Sequence, residues 1–168
     1  MEHETELAFA KIYYANERYT ESKMSIEKKK LTFFKPDLES EIKLPFVSHR
    51  VSAGFPSPAL DFMETSIDLN KTLVENPIAT FYVQVEGNSM IDAGINDKDV
   101  LVVDRSLEPQ NNKIAICFID GEFTVKRMQV EKDCLYLMPE NPNYAPIKVT
   151  EENQLIIWGI VTYVIKAL

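Results

Sequence analysis

After Pro77 the sequence breaks into six apolar runs, Ala79–Val85, Val100–Asp104, Ile114–Asp120, Glu122–Val130, Cys134–Met138 and Leu155–Ile165. They are rich in Val, Ile, Phe and Tyr and are separated by Gly, Asn, Asp and Pro. That is the pattern of successive strands joined by short turns. Asp120-Gly121 lies directly between two of the runs, and both residues tolerate positive φ, so it is the strongest hairpin signal in the chain. A succession of strands with so little helix must close most of its edges on itself. A mostly β fold follows, with a curled, barrel-like sheet, one or two short helices and an extended N-terminal arm.

The chain divides into three parts. Residues 1–30 form an N-terminal extension in which Leu7, Ala10 and Tyr14 can share one helical face. They are too few for a complete helix-turn-helix domain. Residues 31–58 carry Pro36, Pro45, Pro56 and Pro58, which remove backbone donors and block helix, so this stretch reads as an extended arm. From Ser57 the pattern turns helical, with Ser57 as N-cap, Pro58 in the first turn, and Leu60, Met63 and Ile67 at helical spacing. A second short turn is expected from Asp68 to about Glu75. These helices are expected to cover an edge of the β-rich domain, residues 59–168.

Charge narrows the possible partners. The formal net charge is -8, and residues 54–168 hold nine basic against seventeen acidic groups, whereas residues 1–53 hold nine of each. The acidic part repels phosphate and is not expected to grip nucleic acid by itself. Lys28-Lys29-Lys30 is either a phosphate contact or a solvated charge cluster, and direct DNA binding stays open. The acidic start MEHETE lacks the layout of a signal peptide, and no run reaches the roughly 18 apolar residues of a membrane helix. A cytoplasmic location without membrane contact is the expectation. Cys117 and Cys134 are read as reduced core residues.

Chemistry can be approached by elimination. The chain has two histidines, His3 and His49, which leaves little material for a Ser-His-Asp or Cys-His site. Asp92, Asp97 and Asp99 lack the glycine and closing glutamate of a calcium loop, and no phosphate-binding loop occurs, so no metal or cofactor is expected. What remains is the turn Glu86-Gly87-Asn88-Ser89-Met90. A serine there exposes its hydroxyl beside backbone N–H groups, those of Ser89 and Met90 first, which can act as an oxyanion hole. The same composition also makes an ordinary turn. Lys126 alternates with Phe123 and Val125 in its strand and by that pattern faces solvent. If instead it is desolvated, its amine can act as the base for a serine nucleophile without histidine. In the arm, Val51-Ser52-Ala53-Gly54-Phe55 sets two small residues side by side, where a nucleophile can approach the carbonyl.

Taken together, three strings resemble the LexA/UmuD family of self-cleaving, peptidase S24-like proteins, its UmuD branch in particular. They are Ala53-Gly54-Phe55-Pro56-Ser57-Pro58-Ala59, Gly87-Asn88-Ser89-Met90-Ile91-Asp92-Ala93-Gly94-Ile95, and Asp120-Gly121-Glu122-Phe123-Thr124-Val125-Lys126-Arg127. The spacing matches as well, 36 residues from Ala53 to Ser89 and 37 from Ser89 to Lys126. The likeness spans roughly residues 31–168, including the strand Ile156–Val161. It implies Ser89 as nucleophile, Lys126 as general base and Ala53-Gly54 as the scissile bond. Ala53 stands where UmuD-like sequences often have cysteine and LexA-like ones alanine. Residues 1–30 match neither UmuD's short arm nor LexA's DNA-binding domain.

The resemblance further implies a homodimer and cleavage stimulated by a RecA filament on single-stranded DNA. It implies that the cut form is an accessory of an error-prone Y-family polymerase with a UmuC-like subunit, within the SOS response to DNA damage. The alternative is a LexA-like transcriptional repressor inactivated by self-cleavage. A Ser-Lys signal peptidase relative and an inactive binding scaffold are weaker readings, the first for want of a membrane anchor and the second because Ser89 and Lys126 are both present.

Overall fold

Alternating apolar residues form the strands, and the turns between them set the order in which they pair. The computed structural model describes residues 31–36, 44–47, 63–132 and 134–168. Ten strands run β1 Leu31–Phe34, β2 Leu44–Val47, β3 Met63–Ile67, β4 Thr80–Val85, β5 Val100–Asp104, β6 Ile114–Ile119, β7 Glu122–Glu131, β8 Cys134–Met138, β9 Ile147–Val149 and β10 Leu155–Ile165. Eight of them form one sheet in the order β1-β4-β5-β10-β6-β7-β8-β9, and β2 pairs with β3 in a second sheet. Every pairing is antiparallel. The expected mostly β, curled architecture is what forms, and the six strands read from the sequence are β4, β5, β6, β7, β8 and β10.

Curvature comes from β10, the central strand. Trp158 is an extra residue in its register with β6, where Ile157 faces Cys117 and Gly159 faces Ile116. Thr162 is an extra residue in its register with β5, where Val161 faces Val103 and Tyr163 faces Val102. Two such bulges bend and twist the strand enough to roll the sheet. Gly159 is needed at the first one: a Cβ there would lie 2.7 Å from Val103 Cγ1 and 3.3 Å from the Asp104 carbonyl oxygen.

Rolling buries both faces of the middle strands. One cluster contains Val83, Met90, Leu101, Val103, Ile116 and Val125. The other contains Ala115, Cys117, Met128, Leu135, Leu137 and Ile160. Strand alternation places Ile116 on one face of β6 and Ala115 and Cys117 on the other, so the sheet carries apolar packing on each side. The β6–β7 turn is the expected Asp120-Gly121 pair, with φ of 49° and 90°, the two-residue hairpin in which both residues are left-handed.

Four expectations change. Met63–Ile67 is strand β3 rather than helix: Thr65 and Ile67 are β-branched, and pairing with β2 supplies backbone partners that an isolated short helix would lack. Residues 57–62 lie outside the described residues. The short helix after Asp68 does form, as α1 Leu69–Leu73, with the Asp68 side chain accepting from the Asn70 amide at 3.0 Å, but it buries none of its residues. The sheet edge at β4 is covered instead by β1, a strand from the stretch read as an extended arm. Cys117 is fully buried as expected, whereas Cys134, at the start of β8, is only half-buried because it sits beside the exposed β7–β8 turn. Among the described residues no helix is long and apolar enough to cross a membrane.

Gly159→Ala should lower stability by about 1–3 kcal/mol, because its methyl group must displace Val103 or open the bulge. Thermal unfolding of the variant should show a midpoint several degrees below wild type, and an unchanged midpoint would mean the bulge yields without cost.

Candidate active site

The turn between β4 and β5 is built to hold Ser89 still. Gly87 takes φ of 98°, a conformation that a side chain would strain, and its amide donates to Asp97 Oδ1 at 2.7 Å. The Val85 amide donates to the Asp99 carbonyl and the Lys98 amide to the Val85 carbonyl, each at 2.9 Å, which closes the base of the loop. Asp99 is fastened in turn by the Asn96 amide at 2.7 Å and by Lys166 at 3.3 Å. Met90, next to the serine, is 2% exposed and plugs into the core beside Ile95 and Val125. Residues Ile91–Ala93 then make one 3-10 turn, and the Met90 carbonyl accepts from the Ala93 and Ile95 amides, both at 3.1 Å. An apolar anchor on one side of Ser89 and a closed loop on the other leave its hydroxyl little freedom.

A second support was not legible in the sequence. The Glu140 amide donates to the Ser89 carbonyl at 2.9 Å, the Asp92 amide donates to the Glu140 carbonyl at 2.8 Å, and Asn141 Nδ2 donates to the Asn88 carbonyl at 2.8 Å. Arg127 of β7 pairs through Nε with the Glu140 carboxylate and donates to the Asn112 carbonyl at 2.7 Å. The strand that carries Lys126 thus also fixes the loop that holds Ser89. Glu140 and Asn141 lie more than fifty residues from the serine, with no local pattern to connect them. Arg127 offered only its place beside Lys126.

Lys126 is 6% exposed, not solvent-facing as its alternation suggests. The alternation itself is correct. Thr124, Lys126 and Met128 share one face of β7, opposite Cys117 and Ala115 of β6, but the rolled sheet buries that face too. Lys126 Nζ donates to Ser89 Oγ at 2.9 Å, to Thr124 Oγ1 at 2.8 Å and to the Val125 carbonyl at 3.0 Å. These groups can also serve a neutral amine. Its lone pair can take the Ser89 hydroxyl proton while Thr124 and the Val125 carbonyl accept its own N–H groups. The pair can therefore hold either a hydroxyl with an ammonium or an activated hydroxyl with an amine. Thr124 is the residue that sequence reasoning left without a role, although its i, i+2 relation to Lys126 puts it on the same strand face.

The amides of Ser89 and Met90, expected to serve an oxyanion, have no acceptor among the described residues. Ala53 and Gly54 lie outside the described residues, as do His3, His49 and Lys28–Lys30. Among the described residues no group of His, Cys, Asp and Glu could hold a metal ion. A cavity of about 380 Å³ lined by Leu73, Thr80, Asp104, Lys113 and Tyr163 is a separate feature that includes neither Ser89 nor Lys126.

A curled β-sheet here brings a loop serine against a buried strand lysine, an arrangement whose chemistry allows a serine nucleophile and its base to work without histidine. The chain belongs to the Peptidase S24-like family, whose description matches residues 45–162. It is similar to Protein MucA of Salmonella typhimurium, 42% identical over 122 residues, covering 71% of this chain and 82% of that protein. Protein SamA of the same species is 45% identical over 118 residues, covering 70% of this chain and 81% of its own. A LexA repressor of Acidithiobacillus ferrooxidans is 39% identical over 126 residues, covering 73% of this chain and 60% of that protein. The resemblance read from three short strings is thus matched along most of the chain.

Cys117 has a consequence for work at high pH. Burial pushes its thiol from an ordinary 9.0 up to about 12, with the Lys126 charge pulling the other way. The folded form keeps the proton that the unfolded chain releases above pH 9. The stability this contributes is complete below 9 and is lost as pH rises from 9 towards 12, about 1 kcal/mol of it by pH 10. Denaturant unfolding should show wild type losing more stability between about pH 8 and pH 10 than Cys117→Ala, whatever their relative stabilities at neutral pH. Parallel losses in the two proteins would mean another group is responsible.

Proposed function

We propose that this protein cuts its own backbone once, between Ala53 and Gly54, with Ser89 as nucleophile and Lys126 as general base. The observation that carries the reading is the 2.9 Å contact of Nζ of the buried Lys126 with Oγ of the half-buried Ser89. Burial of an amine favours its neutral form, which is the form able to accept the serine proton. A second support is that β2 and β3 pair on either side of the connection containing Ala53 and Gly54, so both ends of that connection are held together.

In the reaction, the Ser89 oxygen adds to the Ala53 carbonyl carbon as Lys126 takes the hydroxyl proton. The Ser89 and Met90 amides receive the oxyanion. Lys126 then passes the proton to the Gly54 nitrogen as the peptide bond breaks. Water, deprotonated by the same amine, releases Ala53 from the serine as a carboxylate. Catalyst and substrate belong to one chain, so turnover is single and its rate depends on how often the scissile segment docks.

Similarity to MucA and SamA and the LexA/UmuD resemblance support a role in SOS mutagenesis. In that role the protein is a cytoplasmic homodimer, a RecA filament on single-stranded DNA promotes docking, and the cut form joins an error-prone Y-family polymerase with a UmuC-like subunit. The repressor reading draws on the LexA similarity and on residues 1–30. Operator-specific binding by the intact chain, lost on cutting, would favour it over the polymerase role.

Purified wild type held at about pH 10 should give fragments ending at Ala53 and beginning at Gly54, read by intact mass, because high pH populates the neutral lysine without an activator. Ser89→Ala and Lys126→Ala should stay whole while remaining folded by circular dichroism. Normal cutting by Lys126→Ala, or a rate that rises with acid, would exclude the base assignment. Thr124→Val should slow cutting about fivefold, since one hydrogen bond to the amine is worth roughly 1 kcal/mol in orienting it.

A further inference from the structure

Strand β1 lies upstream of Ala53 in the chain, yet it is part of the main sheet. Its four residues pair with β4 in the register Leu31↔Val85, Thr32↔Gln84, Phe33↔Val83 and Phe34↔Tyr82. The strand alternates as an integrated edge should: Leu31 and Phe33 pack against the core cluster, while Phe34 is 52% exposed. Phe33 also enters an aromatic group, with its ring 4.6 Å from Trp158 of β10 and 5.0 Å from Phe123 of β7. Strand β2 is upstream as well, and its partner β3 lies downstream of Gly54. Neither set of contacts passes through the Ala53–Gly54 bond.

Resting on the self-cleavage reading, we propose that cutting does not release the upstream piece: residues 1–53 stay docked on residues 54–168 as one noncovalent body, held chiefly by β1. The receptor is the β4 edge together with the aromatic pocket of Phe123 and Trp158. Main-chain hydrogen bonds supply a strand-addition interface, and Phe33 supplies the side-chain anchor that fixes its register. The β2–β3 pairing acts as a second attachment on the same fragment. Each strand thereby raises the effective concentration of the other, and both must open together for the fragment to leave. The extension at residues 1–30 remains attached to the body after the cut. Loss of covalent continuity would then alter the scissile segment and its surroundings without separating the two ends of the protein.

The test does not depend on the chain's own chemistry. In a Ser89→Ala chain, a recognition sequence for a sequence-specific protease replaces residues 52–56, and the purified protein is nicked there. Native mass spectrometry and gel filtration at about 10 µM should show both fragments in one species, a concentration at which two cooperating strands should hold. Trp158 is the single tryptophan of the chain, so its emission should be the same before and after nicking. Phe33→Ala should speed fragment release at least tenfold, while Phe34→Ala, at an exposed position, should not. Separation of the upstream fragment from the nicked protein with Phe33 intact would overturn the proposal, as would equal retention in the Phe33→Ala variant. Failure of the wild-type chain to cut itself at about pH 10 would instead count against the self-cleavage reading, because the nicked protein is made without Ser89.

Discussion

The hydrogen bond between Lys126 and Ser89 depends on a sheet that is buried on both faces. A lysine on an ordinary two-layer sheet, placed on the face opposite Val125, would extend into water and keep its charge. Here the bulges at Trp158 and Thr162 roll the sheet so that the Lys126 face closes over Ala115, Cys117 and Met128. The buried amine bends back to its own strand, meeting Thr124, the Val125 carbonyl and the serine. Curvature and chemistry are linked in this way. Anything that flattens β10, such as a side chain at Gly159, acts on the site from the far side of β6.

The serine side of the site is held by a different kind of force. Met90 anchors the turn by apolar burial, and the Glu140 backbone clamps it from the loop after β8. Arg127, adjacent to Lys126, ties that loop to β7. Ser89 and Lys126 are therefore referenced to one another through β7, rather than through the long path around the sheet. Under the proposed self-cleavage, preorganisation of this kind matters, because a single-turnover rate rests on the fraction of time that the segment carrying Ala53 and Gly54 docks productively. Strand β1 brings the upstream chain to the β4 edge, whose end at Val85 leads directly into the serine turn. The upstream chain and the serine turn are thus joined by sheet pairing as well as by covalent connection.

How far the sequence could be read depended on whether the deciding force was local. The Asp120-Gly121 hairpin, the short turn after Asp68 and the six strands of the main sheet rest on backbone preference and on alternation within a few residues. They appear in the structure nearly as read. Met63–Ile67 differs from that reading because the spacing of Leu60, Met63 and Ile67 suits a helix, whereas the deciding partner, β2, is distant in sequence. Strand β1 was missed for a similar reason: four residues between a lysine run and a proline carry no signal until β4 provides an edge. The half-exposed Cys134 shows the same limit, since an apolar run does not reveal where its sheet ends.

For the site, the sequence determined which groups were available. With two histidines and no metal-binding pattern, it singled out Ser89, Lys126 and the small pair Ala53-Gly54, and the order and spacing of their motifs identified the family. Only the tertiary structure decided that Ser89 and Lys126 touch, that Lys126 is buried, and that Thr124, Arg127, Glu140 and Asn141 hold the pair in place. The physical reason is that the nature of a side chain is written residue by residue. Its burial, and with it the protonation state it prefers, is set by how the sheet curls and by residues that approach from elsewhere in the chain.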